Sequence, residues 1–71
     1  MSKQSLLDQL SWAHQRAETA HLELVVQSKA VAELEKRGRD TTGAKVQLAR
    51  WRMREQKYLR QMDWILDQLD A

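Results

Sequence analysis

The chain has 71 residues, no cysteine and no proline, which allows one small domain and excludes a disulfide framework. Charged residues make up 31% and hydrophobic residues 42%, with a net charge of +2, so the composition is that of a folding chain and not of a disordered one. No uninterrupted apolar run exceeds three residues, as at Leu24-Val25-Val26, far short of the ~20 that a membrane helix needs, and the start lacks the pattern of a signal peptide. We therefore expect a soluble, cytoplasmic protein with no membrane partner.

The first element is predicted to be a helix over roughly residues 3–37, opened by Ser2 or Ser5, the latter with Asp8 at capping-box spacing. Its residues are mostly Ala, Leu, Gln, Glu and Arg, all good helix formers. Apolar positions recur at alternating steps of four and three: Leu6, Leu10, Ala13, Ala17, Ala20, Leu24, Gln27, Val31 and Leu34. That is a heptad seam, and it predicts left-handed coiled-coil packing. Both glycines then fall in residues 38–43, where Gly38 suits the position after a helix end and Asp40, Thr41 or Thr42 can cap a new helix. The second helix is predicted over roughly residues 43–70, with a seam of Ala44, Leu48, Trp51, Glu55, Tyr58, Met62, Ile65 and Leu69.

A short loop between two long helices predicts antiparallel neighbours. The fold class is therefore all-α: one domain spanning residues 1–71, a two-helix antiparallel coiled-coil hairpin. A turn near residues 40–41 pairs positions whose numbers add to about 82. Leu34 then meets Leu48, Val31 meets Trp51, Leu24 meets Tyr58, and Ala20, Ala17 and Ala13 meet Met62, Ile65 and Leu69. Small residues face large ones, as close packing requires. The same register puts Gln27 opposite Glu55, so that the two polar seam residues form a register-specifying pair.

A chain this short buries only about 60% of its unfolded surface, so oligomerisation is the expected source of further stability. Leu7, Leu59 and Leu66, beside His14 and His21, lie off the seam, and Trp12 and Trp64 lie further round. These seven residues are the predicted interface with a second copy or another protein, two hairpins giving a four-helix bundle. The expected function is a non-enzymatic protein-interaction module, an adaptor, regulator or assembly factor acting as a homodimer.

The alternative is a nucleic-acid-binding regulator. Residues 36–60 carry nine basic and two acidic side chains, and the remainder carries three basic and eight acidic. Arg37, Arg39, Lys45, Arg50, Arg52, Arg54, Lys57 and Arg60 are the candidate polyanion-binding residues. No metal or cofactor is expected. His14, Glu18 and His21 share one helical stripe, but the two histidines stand two turns apart, ~10.5 Å along the axis, too far for one ion. No serine or threonine has a base held beside it and no glycine-rich loop can cradle phosphate, so no enzymatic activity is expected.

Overall fold

The computed structural model describes residues 2–71 and contains two helices, α1 (Lys3–Lys36) and α2 (Thr42–Asp70). They pack against each other as a rod 53 Å long and 14 Å across. The cross-helix contacts fall in opposite residue order, from Glu35 with Lys45 at the loop, through His21 with Glu55, to Trp12 with Tyr58. The chain is an all-α hairpin. Among the described residues, no helix is long and apolar enough to cross a membrane.

The helix ends follow from local chemistry. Ser2 caps α1, its hydroxyl accepting the Ser5 N–H at 3.1 Å, which satisfies one of the donors a helix start leaves open. At the other end Gly38 turns to φ +70°, the Gly38 N–H donates to the Glu35 carbonyl at 3.0 Å, and the Arg39 N–H donates to the Leu34 carbonyl at 3.0 Å. These two bonds define a Schellman motif, which closes the helix by reversing the last turn. Asp40 then takes the Thr42 N–H at 3.0 Å and the Thr42 hydroxyl at 2.7 Å, so α2 starts at Thr42 and draws Gly43 into its first turn. Gly43 therefore belongs to the helix and not to the loop.

The two glycines should answer substitution with opposite signs. A methyl group at either meets nothing within 4 Å, so packing contributes little to either change. Gly38→Ala forces a side chain into the left-handed region and is expected to cost about 1 kcal/mol. Gly43→Ala restores helix propensity and is expected to gain about 0.5–1 kcal/mol. Thermal melts of the two variants at equal concentration check this; shifts of the same sign would contradict the assignment of Gly38 to the helix terminus.

Every seam position named above is buried or half-buried, and the two stripes face each other. Leu6, Ala13 and Ile65 form a buried cluster, with Leu10, Met62 and Leu69 packed on it. That grouping corrects the expected register. A register in which Leu6 faces Leu69, Leu10 faces Ile65 and Ala13 faces Met62, each pair adding to 75, one heptad below 82, brings these six together and leaves Ala17 out. The contacts that flank the seam scatter around the same value, adding to 80 at Glu35–Lys45, 76 at His21–Glu55 and 70 at Trp12–Tyr58. Ala17, expected against Ile65, instead lines a cleft with Leu59 and Met62. The cause lies in the loop. The Schellman turn reverses the chain directly after Lys36, and Thr41 is carried under α1, 7% exposed, with its hydroxyl donating to Glu35 at 3.4 Å. The centre of the bend is therefore nearer Gly38 than residues 40–41. A shift of seven residues leaves stripe facing stripe, so the seam survives the change intact.

Glu35 and Asp40 hold this end together. The Lys45 ammonium, 2.7 Å from Glu35, keeps the Glu35 carboxyl below its usual value, with help from Thr41. Hydrogen bonds from Thr42 do the same for Asp40. Both groups are lowered on folding, so each contributes stability above its unfolded pKa and loses it as pH falls through its folded value. The melting temperature is expected to be flat near neutrality and to fall on acidification through and below the usual carboxylate range. Carboxyl NMR titration checks the origin. Lys45→Met is expected to return Glu35, and not Asp40, towards its ordinary midpoint.

Candidate functional site

Helical spacing divides the exposed surface of the rod into two flanks, one on each side of the seam. One flank carries Leu7, His14 and His21 on α1 with Leu59 and Leu66 on α2. His14, Glu18 and His21 line a cleft with Ala17, Glu55, Leu59 and Met62. Leu7, Leu59 and Leu66 are each 40–45% exposed, so this flank is apolar and wet. Five of the seven expected interface residues are therefore gathered on one side.

Glu55 belongs to this flank as much as to the seam. Its carboxylate lies 2.7 Å from His21 Nδ1. The expected partner was Gln27, and the register explains the difference: with numbers adding to 75, Gln27 falls at the level of Leu48, and Glu55 at that of Ala20. The alanine leaves room beside it, and the neighbouring His21 reaches across. Gln27 remains half-buried on the seam. Among the described residues no buried side-chain nitrogen or oxygen lacks a hydrogen-bond partner. His14, Glu18 and His21 lie around the cleft as expected from their shared stripe, but no group of three potential ligands, among the described residues, stands close enough to hold a metal ion.

The two tryptophans go to the other flank. Trp12 packs edge-on against Tyr58, ring centroids 5.7 Å apart and planes at 82°. Trp64 shares the α2 stripe of Arg50 and Lys57 at steps of seven. Trp12 is 44% and Trp64 48% exposed. The expected interface thus separates into an aliphatic half and an aromatic half on opposite sides of the molecule.

The basic residues are dispersed in part: Arg52, Arg54, Lys57 and Arg60 line one hollow on α2 with Met53 and Gln56, and the others stand apart from it. Arg37 is within 3.6 Å of Glu33, and Lys45 is held by Glu35. Helical spacing puts Arg52 on the aliphatic flank with Lys45, Arg60 on the outer face of α2, and Arg50, Arg54 and Lys57 on the aromatic flank. Arg39 is exposed in the loop. Only part of the basic segment can face one ligand at a time.

The aromatic flank adds Arg16 and Thr19, which the sequence does not single out, to Trp12 and Arg54. The Arg16 guanidinium lies over Trp12, 5.2 Å from the ring centroid, and the Arg54 guanidinium lies over Trp51 at 4.7 Å. Arg16, Thr19, Ala20, Trp51, Arg54 and Tyr58 line a cleft between the helices. The heptad pattern gives Trp51 and Tyr58 wholly to the seam; both are half-buried and present ring surface to this flank. The sequence does carry a signal, because Trp12 and Arg16 are four apart and Trp51 and Arg54 three apart, the spacings at which helical side chains meet.

No family model matches the chain, no curated protein does, and no solved structure does.

Proposed function

We propose that this chain is a non-enzymatic protein-interaction module. It is an antiparallel coiled-coil hairpin that pairs with a second copy through the Leu7, Leu59 and Leu66 flank to make a four-helix bundle. The observation that carries this reading is the amount of surface left uncovered. The accessible area is 5533 Å². A folded monomer of this mass is expected to expose about 4,600 Å². The excess, about 900 Å², is close to the ~800 Å² per partner of a standard interface. The hairpin core supports the same view: among the described residues three of the seven buried apolar ones are alanines, which bury little area each.

A second copy fits the aliphatic flank better than an unrelated partner does. Two-fold pairing sets like surfaces together, and a stripe of leucines is self-complementary where a charged patch is not. His14 and the His21–Glu55 pair would border that contact. The basic loop ends and the aromatic flanks would remain on the outside of the bundle, available to a partner.

Sedimentation velocity from about 1 to 200 µM tests the pairing. The wild type is expected to sediment as a dimer over the upper part of that range, and the Leu59→Glu, Leu66→Glu double variant as a monomer. A wild type that stays monomeric throughout would overturn the proposal.

A further inference from the structure

We infer that the flank opposite Leu59 and Leu66 binds single-stranded nucleic acid, using two guanidiniums that the fold holds over indole rings. Arg16 and Arg54 line one cleft with Thr19, Ala20, Trp51 and Tyr58, and each guanidinium lies over an indole, Arg16 over Trp12 and Arg54 over Trp51. Lys57 approaches the Tyr58 ring to 5.9 Å. Cation and ring attract each other, so each guanidinium is positioned before any ligand arrives. Such a group retains a free outer face and in-plane N–H donors. Among the described residues neither Arg16 nor Arg54 makes an ion pair with a carboxylate; Glu23, seven residues beyond Arg16, is the acid on that side of α1 nearest the cleft.

The chemistry of the flank is two-fold: planes for stacking and donors for oxyanions. An unpaired base stacks on aromatic rings and on guanidinium planes alike, and its phosphate accepts from the guanidinium edge. A duplex hides its base faces and an acidic peptide has none, so either would use the cations and leave the planes unused. A cleft of about 210 Å³ is smaller than the 300–1,000 Å³ of small-molecule sites, and takes one flat group. The surface extends beyond it. Arg50, Arg54 and Lys57 follow one another at ~6 and ~4.5 Å along α2, with Trp64 ~10 Å further. A single strand rises ~3.4 Å per nucleotide when stacked and more when extended, so successive phosphates can meet successive cations. The flank lies away from the proposed dimer contact, and the inference does not depend on that contact.

Fluorescence anisotropy of a labelled dT12 strand with the full chain tests this, with tryptophan quenching as a second readout. Binding is expected at about 50 mM salt, with a log–log salt slope of about −2 to −3, given ~0.7 per phosphate contact and four cations. A strand of abasic sites of equal length is expected to bind at least about tenfold more weakly. Arg16→Ala with Arg54→Ala is expected to weaken dT12 binding at least about tenfold and to flatten the slope by about 1.4. Arg16→Lys with Arg54→Lys keeps the charge and loses the plane, so it should weaken dT12 and leave the abasic strand unchanged. Arg37→Ala with Arg39→Ala, in the loop, should change affinity less than about threefold. Circular dichroism confirms that each variant is helical. The inference is overturned by no binding at about 100 µM chain, by equal affinity for dT12 and the abasic strand, by a duplex, a glutamate peptide or anionic vesicles binding as tightly as dT12, or by equal losses in the cleft and loop variants.

Discussion

Ile65→Ala is expected to lower the melting temperature by about 12–24 °C. Ile65 is, among the described residues, the one large side chain with no exposure at all, and it joins Leu6 and Ala13 with Leu10, Met62 and Leu69 packed around them. Truncating a buried isoleucine removes its transfer free energy and leaves a cavity, together about 2–5 kcal/mol. A central value of about 3 kcal/mol, at 4–8 °C per kcal/mol for a domain of this size, gives the stated shift. The loss is large against a total stability of about 4–11 kcal/mol for a chain of this length. Neighbouring Ala13 offers no side chain that can move in to fill the space. Met53→Ala is the control, since Met53 is 70% exposed and should melt within a degree or two of wild type. A drop below about 5 °C for Ile65→Ala, in thermal melts followed by circular dichroism, would show that the seam is not the core.

Replacing Leu59 and Leu66 together by glutamate is expected to remove the concentration dependence of unfolding. If the hairpin folds as a pair, assembly and stability are linked, and each tenfold rise in chain concentration adds up to about 1.4 kcal/mol to the wild type, several degrees in melting temperature. Each leucine is already partly covered within the hairpin, so pairing gains about half of the 1.5–3 kcal/mol that full burial would give. The substitution removes that gain four times over in a two-fold dimer and sets like charges against each other across the axis. The double variant should melt at least about 10 °C below wild type at about 100 µM, at a temperature independent of concentration. A wild-type melt that does not move between about 5 and 500 µM would count against the pairing even if the variant were destabilised. The experiment reads the aliphatic flank only, because Trp12, Trp51, Arg16 and Arg54 lie on the other side of the rod.

The candidate surfaces are legible in the sequence in unequal measure. Leu7, His14, His21, Leu59 and Leu66 group together by helical spacing alone, because a residue's place on a helix follows from its number. Trp12 and Trp64 join them only by chemical type, and that criterion misleads, since exposure and hydrophobicity say nothing about side. Their stripes at steps of three and four with Arg16, Arg50 and Lys57 carry the correct information. The Glu35–Lys45 contact is legible for a different reason: it spans the loop, where chain connectivity leaves few alternatives.

Residue order alone determined the two helices, Gly38 as the residue that ends the first, and the stripe along which they meet; it put the centre of the bend at residues 40–41, too late in the chain. Caps, propensities and the four–three repeat act within a few residues, so a local reading suffices for them. Only the tertiary structure decided which turn of one helix lies beside which turn of the other, and hence that Glu55 meets His21, that Ile65 packs beside Leu6 and Ala13, and that Thr41 is buried. The physical reason is the near-degeneracy of a heptad repeat: sliding one stripe past the other by seven residues keeps apolar against apolar except at Gln27 and Glu55, and both registers match alanines with larger residues. The choice falls to the geometry of five linking residues, where a positive φ at Gly38 and the Arg39 N–H on the Leu34 carbonyl set how soon the chain turns back.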